Sequence, residues 1–439
     1  MEEDLDYLES LLPTARRGCS RCDLELTTVN RYLDGLSYEN VNDVQVRAEL
    51  RAARGFCNHH AWQFVDVARD NLGTALIYRD VLGTVVAELR PIAEGSVGSR
   101  VFGLLSRTSL QAGPAVAQTL RGLLPNGPCP TCEALATAIA DRGRGISNPC
   151  LPHLRAALAT SGGFARTELE RAWAATLRGL RRSVGNASSV EPDRRGPGPR
   201  HRGTLLDLVE AAFGKRGTKD TFSRPPSAPG PPPDRVREAS SELEALVNPD
   251  ECPICLLVGR RVKEELRAGG RTFPEQVAAL ISAGDLCNVH AWFALDLSGG
   301  PEEARRHPLT VGHLELLQKR GGTEGAATGC RACALRSQWE LAYAGQLAEL
   351  ALACSDRATP EGAALCVPHL ALVFRVAPPE KAAALARREI RACQRLREEL
   401  AEYIRKQDYR FREEPRGVEE MSPLRALAIV AGGRGFGRA

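Results

Sequence analysis

Two hexapeptides decide the fold: Cys57-Asn58-His59-His60-Ala61-Trp62 and Cys287-Asn288-Val289-His290-Ala291-Trp292. Each ends a Cys-x-x-His pair, and each has a Cys-x-x-Cys pair before it: Cys19 and Cys22, then Cys252 and Cys255. The alignment of His59 with Val289 makes His60, not His59, the functional histidine. A second kind of pair follows each: Cys150-Leu151-Pro152-His153-Leu154 after Cys129 and Cys132, and Cys366-Val367-Pro368-His369-Leu370 after Cys330 and Cys333. The order is therefore A-B-A-B, the signature of a duplicated two-site unit.

These sixteen residues use twelve of the fourteen cysteines and four of the eight histidines. Taken in sequence order they predict four sites: Cys19, Cys22, Cys57 and His60; Cys129, Cys132, Cys150 and His153; Cys252, Cys255, Cys287 and His290; Cys330, Cys333, Cys366 and His369. Thiolates and imidazole are the ligands zinc prefers, and four of them fill a tetrahedron. Up to four Zn2+ ions per chain are expected. An iron–sulfur cluster and thiol–disulfide chemistry are the competing readings of the same cysteines. Haem attachment is excluded, because no Cys-x-x-Cys is followed by histidine. Three thiolates leave each site one negative charge. Helical patterns after nearly every pair, and Arg21 and Arg331 inside two of them, are expected to offset it. The 17 residues between Cys132 and Cys150, against 34 between Cys22 and Cys57, single out the second set as the most constrained.

The segments between the pairs read as helices, so the chain is all-α: two similar helical metal-binding units joined by a Pro-rich linker. Ala, Leu, Arg and Glu dominate, and aromatic residues make up 5%, which favours helix over strand. Pro378 to Lys406 and Gly162 to Leu180 occupy matching places in the two halves. Asp43 caps a helix from Val44 to Arg54 that Gly55 ends. Thr204 to Gly217 resembles Ser422 to Gly435, pairing Leu206 with Leu424, Gly214 with Gly432 and Arg216 with Arg434. Each half thus closes with a short apolar helix, expected to dock on its own half. The stretch from Ser223 to Pro233 is the linker. The units are set at 1–217 and 237–439, with the linker at 218–236. Cys354 and Cys393 lie on apolar helical stripes and read as core.

Function is less sharply written. Net charge is +4, all of it accounted for between residues 191 and 237, where ten Lys/Arg face six Asp/Glu. That near-neutral body weighs against a dedicated nucleic-acid binder. An acidic start without an apolar segment, and no run long enough to span a bilayer, point to the cytoplasm with no membrane contact. No phosphate loop, zinc-protease motif or nucleophile elbow is present. The leading expectation is a non-enzymatic zinc-stabilised scaffold that binds an unknown protein partner. A zinc-thiolate redox or metal sensor and a nucleic-acid-binding protein are the alternatives.

Tyr38-Glu39-Asn40-Val41-Asn42-Asp43, Gly55-Phe56-Cys57, the knuckles Cys129-Pro130-Thr131-Cys132 and Cys252-Pro253-Ile254-Cys255, and Asp408-Tyr409-Arg410-Phe411 with Glu414-Pro415 resemble a bacterial domain family of unknown function with paired CPxC…GFCxxH and CPxC…GLCxPH motifs. The resemblance covers most of the chain. It implies helical metal-binding units and carries no activity. Cys19-Ser20-Arg21-Cys22 and Cys330-Arg331-Ala332-Cys333 lack the family's proline.

Overall fold

The computed structural model describes residues 18–68, 71–94, 120–142, 146–161, 163–185, 203–218, 233–244, 251–267, 272–320, 329–353, 364–411 and 413–435. Residues 219–232 of the linker, Cys354 and residues 1–17 lie outside them, whereas 233–236, expected as the end of the linker, open a helix. The described residues form helices and no strand. Extended pairing is limited to one bridge between Thr204 and Pro308. In chain order the α-helices are α1 (Ser20–Gly35), α2 (Val44–Ala52), α3 (Asn58–Ala68), α4 (Asn71–Ala93), α5 (Pro130–Arg142), α6 (Leu151–Thr160), α7 (Gly163–Gly185), α8 (Leu205–Phe213) and α9 (Pro233–Glu244). They continue as α10 (Pro253–Leu266), α11 (Phe273–Ala283), α12 (Asn288–Ser298), α13 (Gly300–Arg306), α14 (Val311–Arg320), α15 (Arg331–Ala353), α16 (Val367–Val376), α17 (Pro379–Arg405) and α18 (Ser422–Ala431).

Contacts group the chain into two compact units that do not follow the sequence halves. One comprises Met1–Thr28, Ala136–Pro226 and Lys263–Ala334; the other comprises Val29–Leu135, Ser227–Val262 and Leu335–Ala439. The division expected at 1–217 and 237–439 is therefore a division of sequence, and each compact unit draws on both sides of it. The boundary runs through α1, α5, α10 and α15, the helices that begin at the four CxxC pairs.

In the first unit the short helix α8 is the centre. Thr204 and Asp207 form a reciprocal capping box at its start, satisfying two otherwise orphaned groups. Leu205 and Leu208 are fully buried, and Val209, Ala212 and Phe213 nearly so. At about 1.5–3 kcal/mol per buried large apolar side chain, that face holds a helix too short to stand alone. It packs on α6 from the first half of the sequence and on α11, α13 and α14 from the second. Leu206 stays half-buried.

In the second unit α17 lies along α4, and α18 packs on both. Ala382, Leu385, Ala386, Glu389, Cys393, Leu396, Leu400 and Tyr403 are all buried. Their three-and-four spacing is one face of a helix. Cys393 belongs to that core, as its periodicity predicts. Helix α18 buries Leu427 and Val430 and leaves Leu424 half-buried. Besides α16 and α17 of its own half it meets α3 and α4 of the other. The closing helices thus dock, but not on their own halves alone.

Local expectations fare well. Asp43 Oδ1 accepts from Val46 N at 2.9 Å, the predicted cap. Helix α2 stops at Ala52, two residues early, because Arg54 and Gly55 both adopt positive φ, 57° and 82°. Gly55 N then donates back to Leu50 O, the usual closure of a helix by a left-handed turn.

Candidate metal centres

All eight ligand pairs are built the same way. The first cysteine stands just before a helix, and the second ligand is the third residue inside it. The carbonyl of each first cysteine accepts the opening intrahelical bond: from Asp23 to Cys19, Ala61 to Cys57, Glu133 to Cys129, Leu154 to Cys150, Leu256 to Cys252, Ala291 to Cys287, Ala334 to Cys330 and Leu370 to Cys366, at 2.8–3.1 Å. That places each leading cysteine at the N-cap. The prolines now have a reason. Pro130 and Pro253 take the first helical position and Pro152 and Pro368 the second, where no N–H is needed and φ is already right.

The pairs combine differently from the sequential expectation. Cys19 and Cys22 meet Cys150 and His153, not Cys57 and His60. Cys57 and His60 meet Cys129 and Cys132. The second half repeats the correction: Cys252 and Cys255 meet Cys366 and His369, and Cys287 and His290 meet Cys330 and Cys333. Within each half the pairs are nested, an outer site enclosing an inner one. The 17 residues from Cys132 to Cys150 never have to close a site, so their shortness is no constraint.

Within each group the four ligand atoms lie within 4.8 Å of one another. The Sγ–Sγ separations are 3.7 Å for Cys22–Cys150, 3.8 Å for Cys57–Cys132, 3.6 Å for Cys255–Cys366 and 3.8 Å for Cys287–Cys333. Tetrahedral zinc with bonds of about 2.3 Å requires about 3.8 Å. Every histidine turns Nδ1 to the sulfurs, at 3.1–3.6 Å. Backbone bonds tie three of the sites further: Ser20 N to Ser147 O, Asn126 N to Ala52 O and Arg331 N to Asp285 O.

Two helix N-termini point into each group, and their positive ends favour the negative charge of three thiolates. The arginines contribute less than expected. Arg21 pairs with Glu25 at 3.4 Å, and Arg331 lies nearest Asp285 and Glu265. Protons are shared unevenly within the groups. Hydrogen bonds from Cys150 and Cys22 hold the Cys19 thiol far below its usual range, while burial and the bonds to Cys19 and Cys22 push Cys150 up. Cys132 is lowered by Cys129 and Cys57, and Cys57 is raised by its bonds to Cys129 and Cys132. Burial opposes a charge on His60, but bonds to the Cys129 and Cys132 sulfurs outweigh it and lift the imidazole to about 9. Each group is electron-rich and suited to a cation.

Sequence reading missed the parts that hold the sites in place. Asn288 Nδ2 donates to Phe213 O at 2.8 Å and Lys215 O at 3.0 Å, and Trp292 Nε1 donates to Gly214 O at 3.1 Å. Asn58 Nδ2 donates to Ala431 O, Gly432 O and Gly433 O, and Trp62 Nε1 to Gly432 O. The Asn and Trp of each CNxHAW motif therefore clamp the glycine turn that ends a closing helix. Gly214 and Gly432 share one backbone conformation, φ 82° and ψ 167° against 88° and 165°, a region open essentially to glycine alone. One residue further, Lys215 N donates to Cys22 Sγ and Gly433 N to Cys255 Sγ, both at 3.4 Å. Arg216 then pairs with Asp296, and Arg434 with Asp66. The signal was in the sequence, since the matched residues Gly214/Gly432 and Arg216/Arg434 carry these contacts.

Two buried carboxylates were also missed. Glu25 Oε1 lies 3.1 Å from His153 Nε2, and Glu340 Oε1 lies 3.4 Å from His369 Nε2. They come from different places: Glu25 is three residues past Cys22, where the second half has Val258 after Cys255. No alignment of the halves would find both. Beside the first outer site a cavity of about 540 Å³ is lined by Asn148, Asp207, Glu210 and Lys215 as well as Cys19 and Cys150. Cys19 and Cys150 remain 5% and 2% exposed. Of the histidines outside the groups, His307 stacks on Phe273 and His313 bonds Thr310.

The chain was compared with protein-family models, curated proteins and solved structures, and it matches none. Among the described residues no helix is long and apolar enough to cross a membrane.

Proposed function

From the four Cys3His groups, we propose that the chain is a non-enzymatic, zinc-stabilised helical scaffold that presents its surface to a protein partner in a reducing compartment. One observation carries the reading: four times over, three sulfurs and one Nδ1 converge at the spacing of a single ion. A four-ligand site has no open position for a substrate. Each site also joins segments far apart in the chain, so the ion's binding energy is folding energy.

The same spacing supports one ion over an iron–sulfur cluster. A cluster distributes its cysteines over several irons and sets their sulfurs further apart than the edges of one tetrahedron. A redox dithiol would not need the fourth, histidine ligand. The likeness to the bacterial domain family fits this reading through its motifs.

Metal analysis of anaerobically purified protein, with a visible spectrum, tests it. The expected result is close to four zinc ions per chain and no visible absorption. Brown protein with stoichiometric iron and sulfide would overturn it.

A further inference from the structure

The four sites fall into two classes. In both outer sites the histidine is buttressed: His153 Nε2 meets Glu25, and His369 Nε2 meets Glu340. Those carboxylates are 3% and 5% exposed, and each is paired in turn with an arginine, Arg21 or Arg336. In both inner sites the corresponding nitrogen has no partner. His60 Nε2 and His290 Nε2 are buried, and neither has a hydrogen-bonding atom within reach among the described residues. Burial sorts the sites the same way. Every outer ligand is buried, whereas Cys57, Cys129, Cys132 and Cys333 of the inner sites are only half-buried. Cys22 and Cys255 of the outer sites are further covered by the backbone N–H groups of the closing turns.

We propose that the outer sites hold their metal permanently and that the inner sites, Cys57/His60/Cys129/Cys132 and Cys287/His290/Cys330/Cys333, are exchange sites that give up and accept a divalent cation. This rests on the metal-binding reading above. A carboxylate on the distal nitrogen fixes the ring, sets its tautomer and raises its basicity, and losing such a partner typically costs 10–100-fold in metal affinity. Exchange is ligand substitution: a donor atom of an incoming chelator replaces one thiolate, which takes a proton from water as it leaves. The sulfur must be reachable. The half-buried cysteines supply that access at the inner sites, and the outer sites offer neither a reachable sulfur nor an unsupported histidine. The buttress was reached from two different helices, α1 and α15, so its presence at both outer sites is not a by-product of the repeated motif.

The test uses the full-length zinc-loaded protein, with its zinc content measured first. Mixed with excess 4-(2-pyridylazo)resorcinol, it should release two ions in a phase at least about 10-fold faster than the other two. Iodoacetamide added during the fast phase, followed by peptide mass spectrometry, should mark the six inner-site cysteines and spare Cys19, Cys22, Cys150, Cys252, Cys255 and Cys366. Glu25→Gln, and separately Glu340→Gln, should each move one ion from the slow phase toward the fast one. Release of all four ions in one phase, or early labelling of Cys19 and Cys150 through the neighbouring cavity, overturns the proposal and leaves the metal-binding reading standing. Protein without stoichiometric metal at the outset refutes that reading instead. If either variant fails to fold, the wild-type labelling order decides alone.

Discussion

Asn58 donates its side-chain amide to the carbonyl of Gly432, 3.1 Å away in space and 374 positions along the chain. Asn288 does the same for the turn after Phe213. The ligand-bearing helix of one half therefore holds the closing turn of the other, and that turn covers a sulfur of the other half's outer site. Metal site, CNxHAW helix and closing helix form one assembly in each compact unit.

Removing the clamp should be costly. Asn58→Ala leaves the carbonyls of Ala431, Gly432 and Gly433 without that donor, and a lost buried hydrogen bond costs about 1–3 kcal/mol. Denaturant unfolding of zinc-loaded protein should show a loss of that size, and Asn288→Ala a comparable one. Unchanged midpoints for both would mean that the amides are dispensable.

The sixteen Cys and His residues of the four groups were legible because each pair is a local pattern: an N-cap cysteine and a second donor side chain three residues on. The choice between pairs was not. Cys22 can close on Cys57 across 34 residues or on Cys150 across a separation of 128. Loop entropy grows only with the logarithm of length, so nesting costs about 1–2 kcal/mol more than sequential closure. Packing of α8 and α18 outweighs that, and packing is not written in the spacing. The closing helix Leu205–Phe213 followed from the match of Thr204–Gly217 to Ser422–Gly435 and the glycine that ends each. Their docking across the two halves depended on side chains hundreds of positions away. Glu25 and Glu340 escaped notice because a lone glutamate on a helix is ordinarily a solvated residue.

Cys252→Ser distinguishes the compact units from the sequence halves. The outer site it damages shares a unit with Cys57, His60, Cys129 and Cys132. Hydrogen exchange should show lost protection in α3, α4, α16, α17 and α18, with protection in α6, α7, α8, α11, α12 and α14 largely retained. Loss confined to 237–439 would restore the sequential division.

Glu389 sets a pH dependence outside the ligands. Its carboxyl is buried on α17, accepts Leu365 N at 3.1 Å, and is pushed up to about 8 by burial, with the Cys252 charge adding to it. A folded-state value above the unfolded one means stability fully present below about pH 4.5 and lost as pH rises through about 8. The melting temperature of zinc-loaded protein should fall between about pH 6 and about pH 8.5. Glu389→Gln keeps an acceptor for Leu365 and should flatten that slope. An equal slope in both proteins would assign it elsewhere.

Anomalous diffraction at the zinc edge tests the nested pairing most directly. The account predicts four peaks per chain, each about 2.3 Å from three Sγ atoms and about 2.0–2.1 Å from one Nδ1. They should fall in the groups Cys19/Cys22/Cys150/His153, Cys57/His60/Cys129/Cys132, Cys252/Cys255/Cys366/His369 and Cys287/His290/Cys330/Cys333. Peaks joining Cys19 and Cys22 to Cys57 and His60, or scattering that appears at the iron edge and not at the zinc edge, would contradict it.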